Sequence, residues 1–570
     1  MQKARLLTAT SVLTCLVLWG CAATPVEPRK PKTSQVDAAY LAAHACGTPT
    51  AANRTAEKFM PFLTGLAPIH YAVSSSNPEV QRYFDQGLAL LYGFEYATAY
   101  RSFKAAHDLE PDCAMCAWGM AMALGPNINN GDMSEKSLVE ARDLVSTALK
   151  NPNLGDKDRG LLESLSIRYA PNPPANQANV FAEKYADTLI AASERWPDDD
   201  FIAVLAAEAA MTARPWDYWE AGGHVPLPWA AKAIKIVEMV LKRNPDQPEA
   251  IHLYIHLTEA SDNPHRAEPF ADKLGVLAPN SPHLVHMPSH TYYPVGRFAD
   301  AIRVNVKAIA IDEDMARALG EDPVGYGYFS HHATFILSAA QQVGDGAEAL
   351  KIAGDLEKGI PLSKAVTQPW SEGGLALAME GRAQFSTPQS VLALTTPDKR
   401  LKMVTIVWRA ARAEAFAKLG KFGLARSEIK ALQKVGTGLK VQGEPAMVLQ
   451  RAEEMATGRV ELAAGNLGLA ADHFRAAAQI DGKFSYSEPP LWDRPGDIAL
   501  GRVLLMTGDS IGAKSAFERV LKTRPGNAYA TWGLAQAEVK LGDNTGSQAA
   551  MAEFDRIWLG DKGAMSLDLL

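Results

Sequence analysis

The stretch "YATAYRSFKAAHDLEP", residues 96–111, decides the fold class of this 570-residue chain. Ala99 and Ala106 lie one helical turn on either side of Phe103, and Pro111 ends the pattern. Small residues allow two helices to approach closely, while a large ring fills the gap between them. The same spacing recurs far downstream at Ala513, Phe517, Val520 and Pro525.

These spacings match the 34-residue tetratricopeptide repeat. Weaker copies occur at Ala349/Ala353/Leu356, Ala425/Ile429/Leu432 and Gly458/Ala470/Phe474/Ala477. In the middle of the chain, three copies follow one another without a gap, with first positions at Arg214, Pro248 and Pro282. No long alternation of apolar and polar residues indicates a sheet. We predict an all-α, tetratricopeptide-type (TPR) α-solenoid of antiparallel helix pairs, with inserted helices and loops.

The interruptions of this pattern suggest a division of the chain. We expect a signal peptide of the lipoprotein type at 1–20 and a tether with an N-terminal segment at 21–64. A first repeat array at 65–357 carries the histidine-rich groove described below. An insertion at 358–405 separates it from a second repeat array at 406–570.

The N-terminus has the features of an export signal. Lys3 and Arg5 precede an apolar run, Leu6–Gly20, that has the length of a secretory signal and is short for a membrane span. The following "LWGC" resembles the lipobox of bacterial lipoproteins, although its Trp19 is bulkier than usual. We expect lipidation of Cys21 and residence at the outer membrane facing the periplasm, with ordinary cleavage or a retained anchor as alternatives.

Charge and cysteine content narrow the function further. A net charge of −7 without a long basic block excludes a nucleic-acid-binding surface. In an oxidising compartment Cys113 and Cys116 could form a disulfide, a soft-metal site or plain helix packing, and Cys46 could pair with either. No nucleophile elbow, phosphate-binding loop or dinucleotide fingerprint is present in a credible context.

Two stretches carry paired histidines: "IHLYIHLTEA" (residues 251–260) and "HLVHMPSHTY" (residues 283–292). The pairs His252/His256 and His286/His290 are separated by 34 residues, which is the repeat length. Both pairs therefore occupy positions 5 and 9 of a first helix, one turn apart on the face that lines the groove. Two neighbouring helices thus aim four imidazoles at one place.

Further side chains fall on inward positions of the same helices. Imidazoles that converge with a carboxylate suit a transition metal such as Zn, Cu or Fe. The expected metal ligands are His252, His256, Glu259, His286, His290 and His331. The expected ligand-groove residues are Glu208, Trp216, Asp217, His283 and Tyr293. A groove for a polar ligand or peptide, or purely structural histidines, are the alternatives.

Several stretches resemble a group of bacterial tetratricopeptide proteins of largely unassigned function. They are "YFDQGLALLYGFEYATAYRSFKAAHDLEPDCAMCAWGMAMALGPNIN" (83–129), "RPWDYW" (214–219), "YIHLTEAS" (254–261), "HLVHMPSHTYYPVGRF" (283–298) and "EPPLWDRP" (488–495). The resemblance covers most of the chain after about residue 65 and implies the fold and the importance of the His/Glu segments, without a reaction. Where the family has an "HNxHF"-like segment, "SHHATF" (330–335) keeps His331 and has Thr334 where a histidine would stand.

The sequence thus favours an exported repeat lipoprotein with a His/Glu transition-metal site in its groove. If the chain is an enzyme, the ion would activate water or oxygen or polarise a substrate. The competing class is an interaction scaffold that binds a partner protein or peptide in the cell envelope. No catalytic residue is assigned from the sequence.

Overall fold

The computed structural model describes residues 59–131, 133–171, 178–439, 443–490 and 492–570. They all lie in the larger of two units into which the chain divides, Ser34–Leu570. The predicted signal peptide, the lipidation residue Cys21 and Cys46 lie outside the described residues. Within the described ranges no helix is both long enough and apolar enough to cross a bilayer.

The described part of the chain is all-α, as predicted, and contains two isolated β-bridges but no β-strand. Its first half contains α1 (Pro78–Tyr92), α2 (Tyr96–Leu109), α3 (Ala114–Leu124), α4 (Glu135–Ala148), α5 (Asp156–Arg168), α6 (Ala178–Arg195), α7 (Asp200–Ala213), α8 (Pro228–Arg243), α9 (Pro248–Thr258), a 3₁₀ turn (Pro264–Ala267), α10 (Glu268–Leu277), α11 (Pro282–His286), α12 (Pro288–Tyr292) and α13 (Phe298–Leu319).

The second half continues in the same manner to the C-terminus. It contains α14 (Phe329–Val343), α15 (Gly346–Gly359), α16 (Leu362–Thr367), α17 (Pro369–Phe385), α18 (Pro388–Leu392), α19 (Lys402–Lys418), α20 (Phe422–Leu439), α21 (Glu444–Ala463), α22 (Leu467–Asp481), α23 (Gly496–Thr507), α24 (Ser510–Thr523), α25 (Ala528–Leu541), α26 (Asn544–Ile557) and a 3₁₀ turn (Leu567–Leu569). Consecutive helices pack on one another along the chain, which is the arrangement of an α-solenoid.

Large rings at the predicted repeat positions separate neighbouring helices. Phe103 of α2 is fully buried between Gly87 of α1 and Gly119 of α3. A Cβ atom at Gly119 would lie 2.4 Å from the Phe103 ring, so only glycine allows this approach. Phe517 makes the same contact between Gly501 and Gly533. The small–large alternation in the sequence therefore corresponds to one packing unit that recurs along the chain.

Two of the three consecutive repeats predicted in the middle of the chain begin with a helix at the expected residue. Helices α9 and α11 begin at Pro248 and Pro282, where proline is tolerated because the first helical N–H needs no partner. The Gln247 side chain caps α9 by accepting from the backbone N–H of Ala250. Consecutive first helices therefore place equivalent residues side by side.

The predicted start of a first helix at Arg214 is wrong. Helix α7 ends at Ala213, and residues 214–227 form turns with a bridge between Trp219 and Pro226. Pro215 disfavours helical geometry at the preceding residue, and Arg214 indeed has φ −141° and ψ 74°. Helix α8, which carries the predicted second-helix residues, packs against α7 instead.

Pro288 divides the second histidine stretch into two short helices, as its missing N–H predicts. Helix α11 ends at His286 and α12 begins at Pro288. Met287 between them keeps right-handed helical angles, so the chain continues in nearly the same direction. His286 and His290 therefore remain close in space across the break.

The predicted insertion contains helices that join the stack. Helix α17 packs against α14, α15 and α19. The Glu372 carboxylate of α17 accepts from the backbone N–H of Met403 in the first turn of α19, 2.7 Å away. A carboxylate at this position satisfies a helix N-terminus that has no internal partner. The domain boundaries themselves stay predictions.

We expect Gly119→Ala to lower the free energy of unfolding by roughly 1–3 kcal/mol, because the new methyl group overpacks the Phe103 ring. Urea unfolding followed by circular dichroism measures this change. The matched control is Gly160→Ala in α5, where the nearest atom to a new Cβ is 3.9 Å away. That variant should gain about 0.5–1 kcal/mol from the lower backbone entropy of alanine. Equal stability of the two variants would contradict the packing account.

Candidate metal centre

Seven of the 13 histidines come together at the meeting point of α9, α11, α12 and α14. They are His252, His256, His283, His286, His290, His331 and His332. All are buried except His331, which is half-buried. Burial lowers the pKa of His252, His283, His286 and His331 well below its ordinary value, and it also lowers that of His256. Neutral imidazoles are the form that binds metal ions.

The first group of converging nitrogens comprises His286, His290 and His331, and is called the lower triad. The Nε2 atom of His290 lies 2.9 Å from that of His286 and 3.4 Å from that of His331. Two nitrogens bound at 2.0–2.1 Å to one tetrahedral ion would be about 3.3 Å apart. Both distances are close to this value, and one ligand atom from each of the three rings lies within 4.8 Å of the others.

Hydrogen bonds on the opposite ring edges define which nitrogens carry protons. The amide of Asn305 donates to the Ala301 carbonyl, so its oxygen is left to accept from Nδ1 of His286 at 2.6 Å. Nδ1 of His290 lies 2.6 Å from the Glu259 carboxylate. When both rings are neutral and carry their protons on Nδ1, the two Nε2 lone pairs point at each other. Two facing lone pairs repel each other, and a cation bound to both nitrogens would replace that repulsion with two favourable contacts.

The second group, the upper triad, comprises His252, His256 and His283. The Nε2 atoms of His252 and His283 are 3.1 Å apart, and Nδ1 of His252 lies 2.9 Å from the Glu249 carboxyl. Nε2 of His256 is buried and has no hydrogen-bond partner, while its Nδ1 lies 2.8 Å from Glu259. One ligand nitrogen from each ring lies within 4.8 Å of the others.

Glu259 connects the two triads. One carboxylate oxygen accepts from His256 and the other accepts from His290. Burial favours the protonated form, but the His290 and His256 rings lower the pKa of Glu259 below its ordinary value. The sequence predicted Glu259 as a metal ligand. The structure places it where it orients two histidines, and it also forms a third possible ligand group with them.

A segment between α22 and α23 covers the histidines. The Tyr486 hydroxyl donates to Glu259 and to Glu488, and Glu488 lies 3.7 Å from Nδ1 of His290. Burial and the adjacent Glu259 charge raise the pKa of Glu488 to about 8, against the opposing effect of His290. Burial therefore favours the protonated form of this carboxyl, which lies beside the lower triad.

The same covering segment is fixed in place by Asp493. Its carboxylate accepts hydrogen bonds from Tyr293, Ser338 and Gln342, which lie on and after the histidine-bearing helices. Tyr293, predicted as a groove residue, is thus used to anchor the segment. Its hydroxyl also pairs with Ser338 at 2.7 Å.

The other predicted groove residues divide into two sets. The Trp216 ring contacts His256 edge-on at 5.4 Å between centroids, whereas Asp217 is exposed and does not belong to the cluster. Glu208 is buried, and burial raises its pKa. Burial and the negative charge of Glu208 raise the pKa of Glu249, the partner of His252.

Cys113 and Cys116 are joined in a disulfide at the start of α3.

The sequence interpretation omitted four polar residues of the cluster. Glu249 precedes His252 by three residues on the same helix, a spacing that could have revealed it. Glu488 lies in the quoted "EPPLWDRP" stretch, but nothing in that stretch indicates proximity to the histidines. Asn305 and His332 likewise carry no sequence signal. His332 lies 3.0 Å from Asp312, and burial lowers its pKa to about 3.

Comparison with known proteins finds distant structural matches alone. No protein-family model and no curated sequence matches the chain. Among solved structures, the human IFIT1 dimer with PPP-AAAA is 13% identical to this chain; the alignment covers 85% of this chain and 95% of the IFIT1 chain, with a TM-score of 0.31. Yeast Tom70 is 13% identical, covers 85% and 93%, and has a TM-score of 0.27. The APC/C hetero-tetramer Cut9-Hcn1 is 14% identical, covers 86% and 95%, and has a TM-score of 0.27. Nothing about ligands or partners is inferred from such distant matches.

We expect Asp493→Ala to lower the free energy of unfolding by roughly 2–3 kcal/mol, because buried hydroxyl and amide donors lose their acceptor. Limited proteolysis should also cleave the covering segment faster. Asp493→Asn keeps an oxygen acceptor and should lose less than about 1 kcal/mol. Asp472→Ala, at an exposed carboxylate on α22, is the neutral control. Cleavage at the wild-type rate in Asp493→Ala would show that Asp493 does not hold the segment.

Proposed function

We propose that this chain is an exported solenoid lipoprotein that binds a transition-metal ion at the lower triad. The observation that carries the proposal is the facing of Nε2 atoms whose rings already donate Nδ1–H to Asn305 and Glu259. Buried lone pairs at this distance need a cation or a donor between them. Imidazole nitrogens suit Zn, Cu and Fe, so the proposal is limited to these metals.

The site is proposed to be catalytic. Three histidine ligands leave a coordination position for water or substrate, whereas structural sites usually supply four protein ligands. The half-buried His331 marks the side from which a small ligand would enter. Glu488 lies 3.7 Å from Nδ1 of His290, where its carboxyl could exchange a proton with a bound ligand. A bound ion would polarise such a ligand.

A second candidate function rests on a different feature. The C-terminal repeats, together with the ends of α14 and α17, line a cavity of about 510 Å³ whose charged side chains include Glu414, Arg459, Arg494 and Arg502. Its size suits a small ligand or a few residues of a partner peptide. As an interaction scaffold, the chain would bind a partner in the cell envelope through this cavity, with the histidine cluster in a supporting role.

We expect the purified full-length protein to retain a bound transition metal, and His331→Ala to lower the metal content by about one ion per chain. Elemental analysis of untagged protein measures both quantities. The half-buried position of His331 makes this variant the one least harmful to folding. His265→Ala is the control, because His265 is exposed and pairs with Glu268. A wild-type protein that stays metal-free after incubation with Zn²⁺, Cu²⁺ and Fe²⁺ would overturn the proposal.

We also propose that Cys21 carries a lipid that anchors the chain to the outer membrane, facing the periplasm. The support is the basic, apolar and lipobox-like order of residues 3–21. Cys21→Ser should release the protein from the membrane fraction or leave its signal peptide uncleaved. Cell fractionation with mass measurement of the mature chain tests this. A Cys15→Ser variant should behave as wild type. A Cys21→Ser chain that stays in the membrane fraction and whose mature mass differs from wild type only by the substitution would contradict lipidation.

A further inference from the structure

We propose that the upper triad is a second metal position, and that both triads form one two-ion centre joined through Glu259. This inference rests on the proposed function, because it extends the metal site of the lower triad. The sequence interpretation divided these histidines differently, since it placed His283 in a ligand groove. The geometry places His283 with His252 and His256 instead.

Two rings of the upper triad, His252 and His256, repeat the features of the lower one, whereas Nδ1 of His283 has no hydrogen-bond partner. His252 and His256 each direct Nδ1 at a buried carboxyl group, Glu249 at 2.9 Å and Glu259 at 2.8 Å. Such carboxyl–histidine pairs are the usual way to orient metal-binding rings. Nε2 of His252 then faces Nε2 of His283 at 3.1 Å, which is within the spacing of two ligands of one ion. Nε2 of His256 lies nearby without a partner in a fully buried position.

Two triads are in direct contact, so their ions would be neighbours. The rings of His256 and His290 have centroids 5.4 Å apart, and those of His283 and His286 are 5.8 Å apart. Between them Glu259 uses one oxygen for each side. An ion that pulls electron density from one ring makes its N–H a stronger donor to the shared carboxylate. Binding at one position therefore acts on the other through Glu259.

The surroundings can balance the charge and exclude water. Glu249, Glu259 and Glu488 all lie within 3.7 Å of a ring nitrogen of the cluster, so Glu259 supplies a negative charge and the other two carboxyl groups can lose their protons when ions bind. The Phe94 ring packs on His252 and His283 with centroid distances of 4.5 and 4.9 Å. Ions in such a dry site would be held by their ligands rather than by water.

The third possible ligand group, in which Glu259 itself binds an ion with His256 and His290, is less favoured. Its nitrogen–oxygen distances of 2.8 and 2.6 Å are those of charge-assisted hydrogen bonds. Glu259 also accepts from Tyr486, so its oxygens already have donors. An ion on these atoms would displace the protons that fix both rings.

The test is the metal stoichiometry of the full-length protein and five variants, measured by elemental analysis. The wild type should hold two ions per chain, and His283→Ala and His331→Ala should hold one each. The double variant should hold none. His265→Ala removes an exposed histidine that lies outside the cluster, and it should keep two ions. Glu259→Gln offers only one acceptor oxygen and should lower the binding affinity for at least one ion by about 10- to 100-fold.

A mutation-independent measurement guards against variants that fail to fold. Titration of metal-free wild-type protein with Zn²⁺, followed by calorimetry, should saturate at two equivalents. A single ion that is lost in His331→Ala and kept in His283→Ala would overturn the two-ion centre and leave the proposed function standing. A single ion lost in both variants would also overturn it, in favour of one shared position. Absence of any binding would overturn both proposals together.

Discussion

A buried neutral imidazole has one N–H to donate and one lone pair to satisfy, and this requirement governs the centre of the molecule. Asn305, Glu249 and Glu259 accept on the Nδ1 side of His286, His252 and His290. The same arrangement leaves Nε2 atoms facing one another at 2.9 and 3.1 Å. The acceptors around these three rings thus bind their Nδ1 donors and leave Nε2 lone pairs on the facing side, while Nδ1 of His283 has no hydrogen-bond partner.

The solenoid explains how such a cluster is assembled from distant segments. Because α9 and α11 start at equivalent repeat positions, residues 34 apart in sequence become neighbours across the helix interface. Buried phenylalanine rings such as Phe103 and Phe517, each packed between two glycines, set the distance between helices elsewhere in the stack. The covering segment then comes from the C-terminal half, where Asp493 attaches it to Tyr293 and Ser338. The cluster therefore depends on both halves of the chain.

Much of this could be predicted from the sequence, because repeats are periodic and prolines mark helix starts. The fold class, the starts of α9 and α11, and the common face of His252, His256, His286 and His290 followed from spacing alone. The helix start at Arg214 did not, because Pro215 prevents it despite the repeat pattern further along. Contacts such as Glu488 with His290 join residues that lie almost 200 positions apart, and no local pattern encodes them.

Burial also bears on the choice between a metal centre and a peptide groove. Six of the clustered rings are almost inaccessible, and Tyr486 and Glu488 cover them. A partner peptide could reach these rings only if the covering segment moved and the Asp493 hydrogen bonds broke. An ion needs no such opening, since its ligands are already converged. A scaffold function therefore fits the C-terminal cavity better than the histidines, and the histidine cluster is better explained by a small cation that it encloses.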